Sequence, residues 1–175
     1  MKGILAMVVA LFGFGGKGLA SDLKPGDPAP GFVLKTDAGA NFDLQSRKGQ
    51  WTVLYFYPKA DTPGCTKQAC AFRDSISKIR RLGAEIYGVS TDDVEALKSF
   101  KKKHSLNFVL LADPELKAVK AYGTKMPVVN MSKRWTFIIG PDLRIRAVER
   151  DVDPVLDAER TAAALQDLQS KPGRP

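Results

Sequence analysis

Residues 57–74 read YPKADTPGCTKQACAFRD and hold both cysteines of the 175-residue chain, Cys65 and Cys70. Immediately upstream, Trp51–Tyr57 (WTVLYFY) is an unbroken apolar, β-branched and aromatic run, the pattern of a strand buried on both faces. Downstream, Ala69, Phe72, Ile76, Ile79 and Leu82 recur at steps of three and four, the period of an amphipathic helix. Thr62, Pro63 and Gly64 supply a turn between the two. Cys65 is therefore expected where a central strand gives way to a helix. The first N–H groups of a helix have no partner inside it, and they sit at the positive end of its dipole. A thiolate is favoured there over a thiol, which is how reactive cysteines are commonly made.

The length fits one domain able to bury a proper core. The formal net charge is +8, or +6 without Lys2 and Lys17 of the leader. The Lys101–Lys103 run has no interleaved aromatic residues and falls at the end of a predicted helix, where cations suit the dipole. It reads as a solvated helix end, and no nucleic-acid partner is expected. Met1–Ala20 has one early lysine, the apolar run Gly3–Phe14, and small residues at Gly18 and Ala20. That is the layout of a secretory signal cleaved after Ala20, with an apolar run too short to serve as a stable membrane anchor. A misassigned start codon or an uncleaved anchor is the other reading. The expected mature domain is residues 21–175, outside the cytoplasm and periplasmic, in a compartment that permits disulfides.

From Leu23 to Pro30 the chain is Pro-rich and extended. Phe32–Lys35 and Asn41–Leu44 flank Asp37-Ala38-Gly39, a hairpin signal. After the cysteine helix, Gly83 suits a left-handed cap, and Ala84–Ser90 is the next strand. Asp92 with Glu95 makes a capping box for a helix through Lys103. His104, the only histidine, reads as structural rather than catalytic. Phe108–Leu111 is a strand, and Asp113-Pro114 opens a short helix that Gly123 ends. Thr124–Lys133 is an irregular loop before the strand Trp135–Ile139. Gly140-Pro141-Asp142 turns the chain into Ile145–Val148. Asp153-Pro154 starts a last helix whose core face is Val155, Ala158, Ala162, Leu165 and Leu168. Lys171–Pro175 is a frayed tail. Alternating strands and helices imply an α/β fold with helices on both faces of a sheet.

The string Pro58-x-x-x-Thr62-x-x-Cys65 resembles the peroxidatic signature of the peroxiredoxins. TPGCT followed by a second cysteine, five residues after Cys65, resembles the peroxiredoxin Q (bacterioferritin comigratory protein) branch. GDPAPGFVL near residue 26, DPE after FVLLA, and Arg134-Trp135-Thr136-Phe137 before a strand are similar to family segments in the same order. One departure is Gln68, where many members carry Glu. The resemblance implies a thioredoxin-like fold with a central mixed sheet, flanking helices and an N-terminal β-hairpin. It also implies a thiol peroxidase needing no metal, haem or flavin. Cys65 is then the peroxidatic nucleophile and Cys70 the resolving cysteine, with a redox-active Cys65–Cys70 disulfide in the oxidised state. Arg134 is brought beside Cys65, Thr62 bonds the thiolate or the peroxide, and Pro58 walls the pocket. The alternatives from the residues alone are a plain helix cap for Thr62 and a surface cation for Arg134.

The expected partners are hydrogen peroxide or small organic hydroperoxides, and thioredoxin or a thioredoxin-like dithiol that returns the enzyme to its reduced state. A resolving cysteine in the same chain removes any need for a dimer, so a monomer is expected. Competing readings of the cysteine pair are a static disulfide and a thioredoxin-like thiol–disulfide oxidoreductase of the cell envelope. The latter class uses Cys-x-x-Cys, whereas the spacing here is Cys-x4-Cys. Two cysteines and one distant histidine do not make a four-coordinate metal site. A binding role without catalysis has no motif to carry it. Helix geometry adds a constraint. Five residues along an α-helix put two α-carbons ~8.6 Å apart, beyond the ~7 Å that a disulfide spans without backbone movement. A Cys65–Cys70 bond therefore requires the start of the helix to unwind.

Overall fold

The computed structural model describes residues 22–171. The expected leader and the tail beyond Lys171 lie outside the described residues. Seven strands form one mixed sheet: β1 Val33–Thr36, β2 Asn41–Asp43, β3 Trp51–Phe56, β4 Ala84–Ser90, β5 Val109–Ala112, β6 Trp135–Ile139 and β7 Ile145–Glu149, in the order β2-β1-β5-β4-β3-β6-β7. β3, β4 and β5 run parallel, and the flanking strands add antiparallel to them. The helices are α1 Pro63–Arg81, α2 Val94–Lys103, α3 Lys117–Ala121 and α4 Asp157–Ser170. This is the thioredoxin-like mixed sheet with an N-terminal hairpin that the family resemblance implied.

The buried run in β3 splits by alternation. Val53, Tyr55 and Tyr57 pack with Phe72, Ile76 and Ile79 of α1, Leu97 and Phe100 of α2, and Ala158, Ala162 and Leu165 of α4. Leu54 and Phe56 face the other way, against Phe32, Leu44, Val119, Tyr122 and Phe137. Each fully buried Phe, Ile or Leu contributes roughly 1.5–3 kcal/mol relative to exposure. Both faces of the central strands are thus covered, which explains why β3 shows no polar alternation.

Three helix starts differ from expectation by a few residues, two of them for a shared reason. Asp93, not Asp92, caps α2, its carboxylate accepting from Ala96 N–H. Asp113 accepts from Lys117 and Val119 N–H, at 2.7 and 2.8 Å, so α3 begins at Lys117 rather than Pro114. Asp153 accepts from Val155 and Leu156 N–H, and α4 begins at Asp157. An aspartate before proline favours a turn that satisfies backbone N–H groups locally before a helix begins. Val155 consequently leaves the core face and is 59% exposed. A short 3-10 turn at Leu44–Arg47 follows β2 and takes Leu44, a residue expected in the strand. Gly83 and Gly123 take the left-handed conformations expected after helix ends. Two lysines of the run form ion pairs within the chain, Lys101 with the buried Asp37 at 2.8 Å and Lys103 with Asp61 at the surface at 2.6 Å.

Gly88 in β4 faces the ring of Tyr55, which stacks on Tyr57 and Phe72. A β-carbon at residue 88 would lie 2.6 Å from both the Tyr55 hydroxyl oxygen and the ring carbon Cζ, and 2.8 Å from Cε1. Because its neighbours hold the ring, Gly88→Ala should destabilise the fold by about 1–3 kcal/mol. Tyr55→Phe, which removes the hydroxyl clash and leaves the two with ring carbons, should restore part of the loss. Urea unfolding of the single and double variants measures both; additive losses would contradict the packing account.

Candidate active site

Cys65 lies in the first turn of α1, directly after the loop that leaves β3, and is 1% exposed. The start of the helix is set locally. Thr62 is its N-cap in extended conformation, Pro63 occupies the first helical position, and Thr66 N–H bonds back to Thr62 C=O at 2.8 Å. Proline at that position forfeits only an N–H that has no helical partner. The N–H groups of Gly64 and Cys65, ahead of that first helical bond, have no partner within the helix.

Arg134, the residue before β6, reaches the sulfur from the adjacent strand. Its Nη2 donates to Cys65 Sγ at 3.3 Å, and its Nη1 donates to Gln68 Oε1 at 2.5 Å. Gly64 makes room for this approach: a β-carbon there would meet Nη2 at 3.3 Å. The surface-cation alternative for Arg134 therefore gives way to a half-buried guanidinium on Cys65. Gln68, fully buried, sends its Nε2 to Asp157 Oδ2 at 2.6 Å, and Thr136 Oγ1 donates to the same oxygen at 2.8 Å. Burial pushes the Asp157 carboxyl above its ordinary range, while the bonds from Gln68 and Thr136 oppose that shift. A line of hydrogen bonds thus runs from Cys65 through Arg134 and Gln68 to Asp157.

Thr62 does not cap the helix with its side chain. Its hydroxyl donates to Lys59 C=O at 2.9 Å, so its proton is committed and its oxygen can accept. Pro58 is half-buried at the head of the same loop. That loop is fastened twice. Ala60 N–H donates to Asp92 Oδ2 at 2.8 Å, and Asp61 receives Lys103 at 2.6 Å and His104 Nε2 at 2.8 Å. These bonds to His104 and Lys103 hold the Asp61 carboxyl below its usual range. His104 is therefore structural, as its isolation in the sequence suggested. Asp92 braces the loop instead of capping α2.

Cys70 is half-buried further along α1, and both cysteines are free thiols within one continuous helix. Among the described residues no group of three or more His, Cys, Asp or Glu side chains could hold a metal. A cavity of about 580 Å³ between β1, the start of α2 and Asp113–Lys117 is lined by neither cysteine nor Arg134. Sequence reading missed Asp157 and Thr136. The one available signal was position: Thr136 and Arg134 are two apart and so share a strand face, and Asp157 adjoins the expected core residue Ala158.

A buried thiol at a helix start, met by a guanidinium on a thioredoxin-like sheet, defines a thiol-based redox enzyme. The model of the AhpC/TSA family matches residues 25–148. The chain is 38% identical over 152 residues to a chloroplastic peroxiredoxin Q of Suaeda salsa, covering 86% of this chain and 71% of that one. Among solved structures, a cysteine-to-serine mutant of PrxQ from Xylella fastidiosa superposes with a TM-score of 0.82 at 29% identity, covering 86% of this chain and 99% of that one. The bacterioferritin comigratory protein of Xanthomonas campestris, solved in work on its alkyl peroxide reduction activity, gives 0.76 at 29% identity, with 80% and 92% covered. The chain belongs to the AhpC/TSA family and, within it, to the peroxiredoxin Q type, the thiol-dependent peroxidases.

Proposed function

We propose that Cys65 is the peroxidatic nucleophile and Cys70 its resolving partner, in an enzyme that reduces hydrogen peroxide and small organic hydroperoxides. The observation that carries this is the 3.3 Å contact between Cys65 Sγ and Arg134 Nη2 in the first turn of α1. The Cys65 thiolate attacks the terminal peroxide oxygen and the O–O bond breaks. Sulfur is oxidised to sulfenic acid, and the other oxygen leaves as hydroxide or alkoxide and takes up a proton. Charge grows on that leaving oxygen, so donors fixed beforehand lower the barrier. Arg134 and the N–H groups of Gly64 and Cys65 are those donors. Thr62, whose own proton is held by Lys59 C=O, accepts from the incoming peroxide, and Pro58 walls the pocket. Cys70 then condenses with the sulfenic acid, releasing water and forming the disulfide. An external dithiol, thioredoxin or a thioredoxin-like protein, reduces it.

Organic hydroperoxides are included because the similar Xanthomonas protein is described by its alkyl peroxide reduction. The leader makes the enzyme periplasmic and a monomer suffices for catalysis, so an envelope dithiol is the better candidate reductant than cytoplasmic thioredoxin. An intact mass that begins at Ser21 in the exported protein is the expected result; a full-length cytoplasmic product would remove the periplasmic assignment and leave the chemistry standing.

Cys65→Ser should abolish peroxide consumption in an assay coupled to a dithiol donor. Cys70→Ser should still give one stoichiometric turnover and a sulfenic acid that can be trapped, because only Cys65 has the helix start and Arg134. If Cys70 reacts faster with peroxide, the roles are reversed and the assignment fails.

The continuous helix through both cysteines supports a reduced state in which they cannot bond, by the ~8.6 Å separation of α-carbons five residues apart in a helix. Oxidation should melt the first turns of α1. Amide exchange across residues 64–74 should be protected in the reduced enzyme and fast in the disulfide form; equal protection in both would sink this model.

A further inference from the structure

Asp157 is 1% exposed, and no ion pair among the described residues includes it. Its carboxylate does not cap α4 either. Leu156 is the cap residue, and Asp153 already takes the N–H groups of Val155 and Leu156. Burying a carboxylate without a cation beside it costs stability. Its compensation is the pair of hydrogen bonds from Gln68 and Thr136, with further help from its place in the first turn of a 14-residue helix. Both donors converge on one oxygen. A buried ionisable group held this way, two hydrogen bonds from the reactive sulfur's guanidinium, invites a functional reading.

The chemistry of the amide between them gives that reading its content. A guanidinium offers donors only, whereas a glutamine amide has one accepting end and one donating end. Arg134 Nη1 can bond Gln68 only if Oε1 faces it, and Nε2 must then point the opposite way. There it needs an acceptor, since Gln68 is fully buried and an unmet N–H would be costly. Asp157 Oδ2 is that acceptor. It accepts whether or not the carboxyl holds a proton on its other oxygen, so burial of the group does not defeat the arrangement. Without it, Nε2 is left buried and unmet, the side chain must shift to reach another acceptor, and that shift disturbs the bond to Arg134 that aligns Nη2 with Cys65.

We propose that Asp157 is a positioning residue for the peroxide step, fixing the orientation of the Gln68 amide and through it the seat of Arg134 on Cys65. This rests on the assignment of Arg134 and Cys65 to that step. The mutual geometry of reacting groups is sensitive to small displacements, and an error of about 1 Å can cost ~100-fold in rate.

The test is the second-order rate of Cys65 oxidation by hydrogen peroxide, followed by stopped flow on the reduced full-length mature protein, with the melting temperature taken on each sample. Asp157→Ala should slow the reaction about 10- to 100-fold. Asp157→Asn should stay within about three-fold of the parent, because the asparagine oxygen can accept from both Gln68 and Thr136. In a Gln68→Leu background, Asp157→Ala should bring no further loss, as expected for residues acting through one link. An Asp157→Ala protein that melts earlier but reacts at the parent rate would reduce the residue to a fold support and overturn the proposal. So would an Asn variant as slow as the Ala variant, or losses that add in the double variant. Arg134→Ala separates the two levels. If it reacts normally, the assignment of Arg134 fails and this proposal falls with it. If it is slow while Asp157→Ala is not, the proposal fails alone.

Discussion

The contact between a guanidinium and a sulfur 69 residues apart in sequence depends on the pairing of β3 with β6. The two strands run antiparallel with Phe56 opposite Trp135, so the end of one lies beside the start of the other. The loop leaving β3 carries the turn into α1 and presents Cys65. The residue entering β6 is Arg134. Because side chains alternate along a strand, Arg134, Thr136 and Ile138 share a face, the one covered by α1 and α4. A slip of one residue in this register would turn Arg134 to the opposite face, toward α3, and leave Cys65 without it. The pairing register of β3 and β6 therefore sets the electrostatics of the site as well as the core.

What the sequence disclosed follows the range of the forces involved. The strand, turn and helix around Cys65 are written in adjacent residues: a doubly buried run, proline at the first helical position, and an apolar stripe at helical period. The seven-strand order was not written there. Only the similarity to a known family brought Arg134 to Cys65, since nothing in the loop 124–133 announces where it lands. Helix starts after Asp113 and Asp153 were misplaced because a local signal, aspartate followed by proline, serves a turn as readily as a helix. Asp92 was misassigned because two consecutive aspartates can each cap; which one turns inward is decided by Ala60, 32 residues away.

The invisible part of the site is its second tier. Asp157 meets Gln68 and Thr136 through contacts that span 89 and 21 residues, and none of the three residue types is unusual where it stands. The family pattern drew attention to Gln68 as a departure but offered no partner for it. A neutral amide in that position has a directionality that a carboxylate lacks, and so it depends on whatever lies behind it.

Gln68 also lies between the two cysteines. Any path that brings Cys65 and Cys70 close enough to bond must distort residues 66–69, and this draws the amide away from both Arg134 and Asp157. Formation of the disulfide would therefore dismantle the pocket as well as spend the thiol. The oxidised enzyme would offer an arriving peroxide neither a nucleophile nor an assembled cradle, and the cradle would be rebuilt only when the helix rewinds after reduction. Rewinding becomes a reset. If the proposed Cys65–Cys70 disulfide forms, one hydrogen-bonded side chain in the middle of a helix turn would make readiness for the next substrate conditional on delivery of the previous pair of electrons.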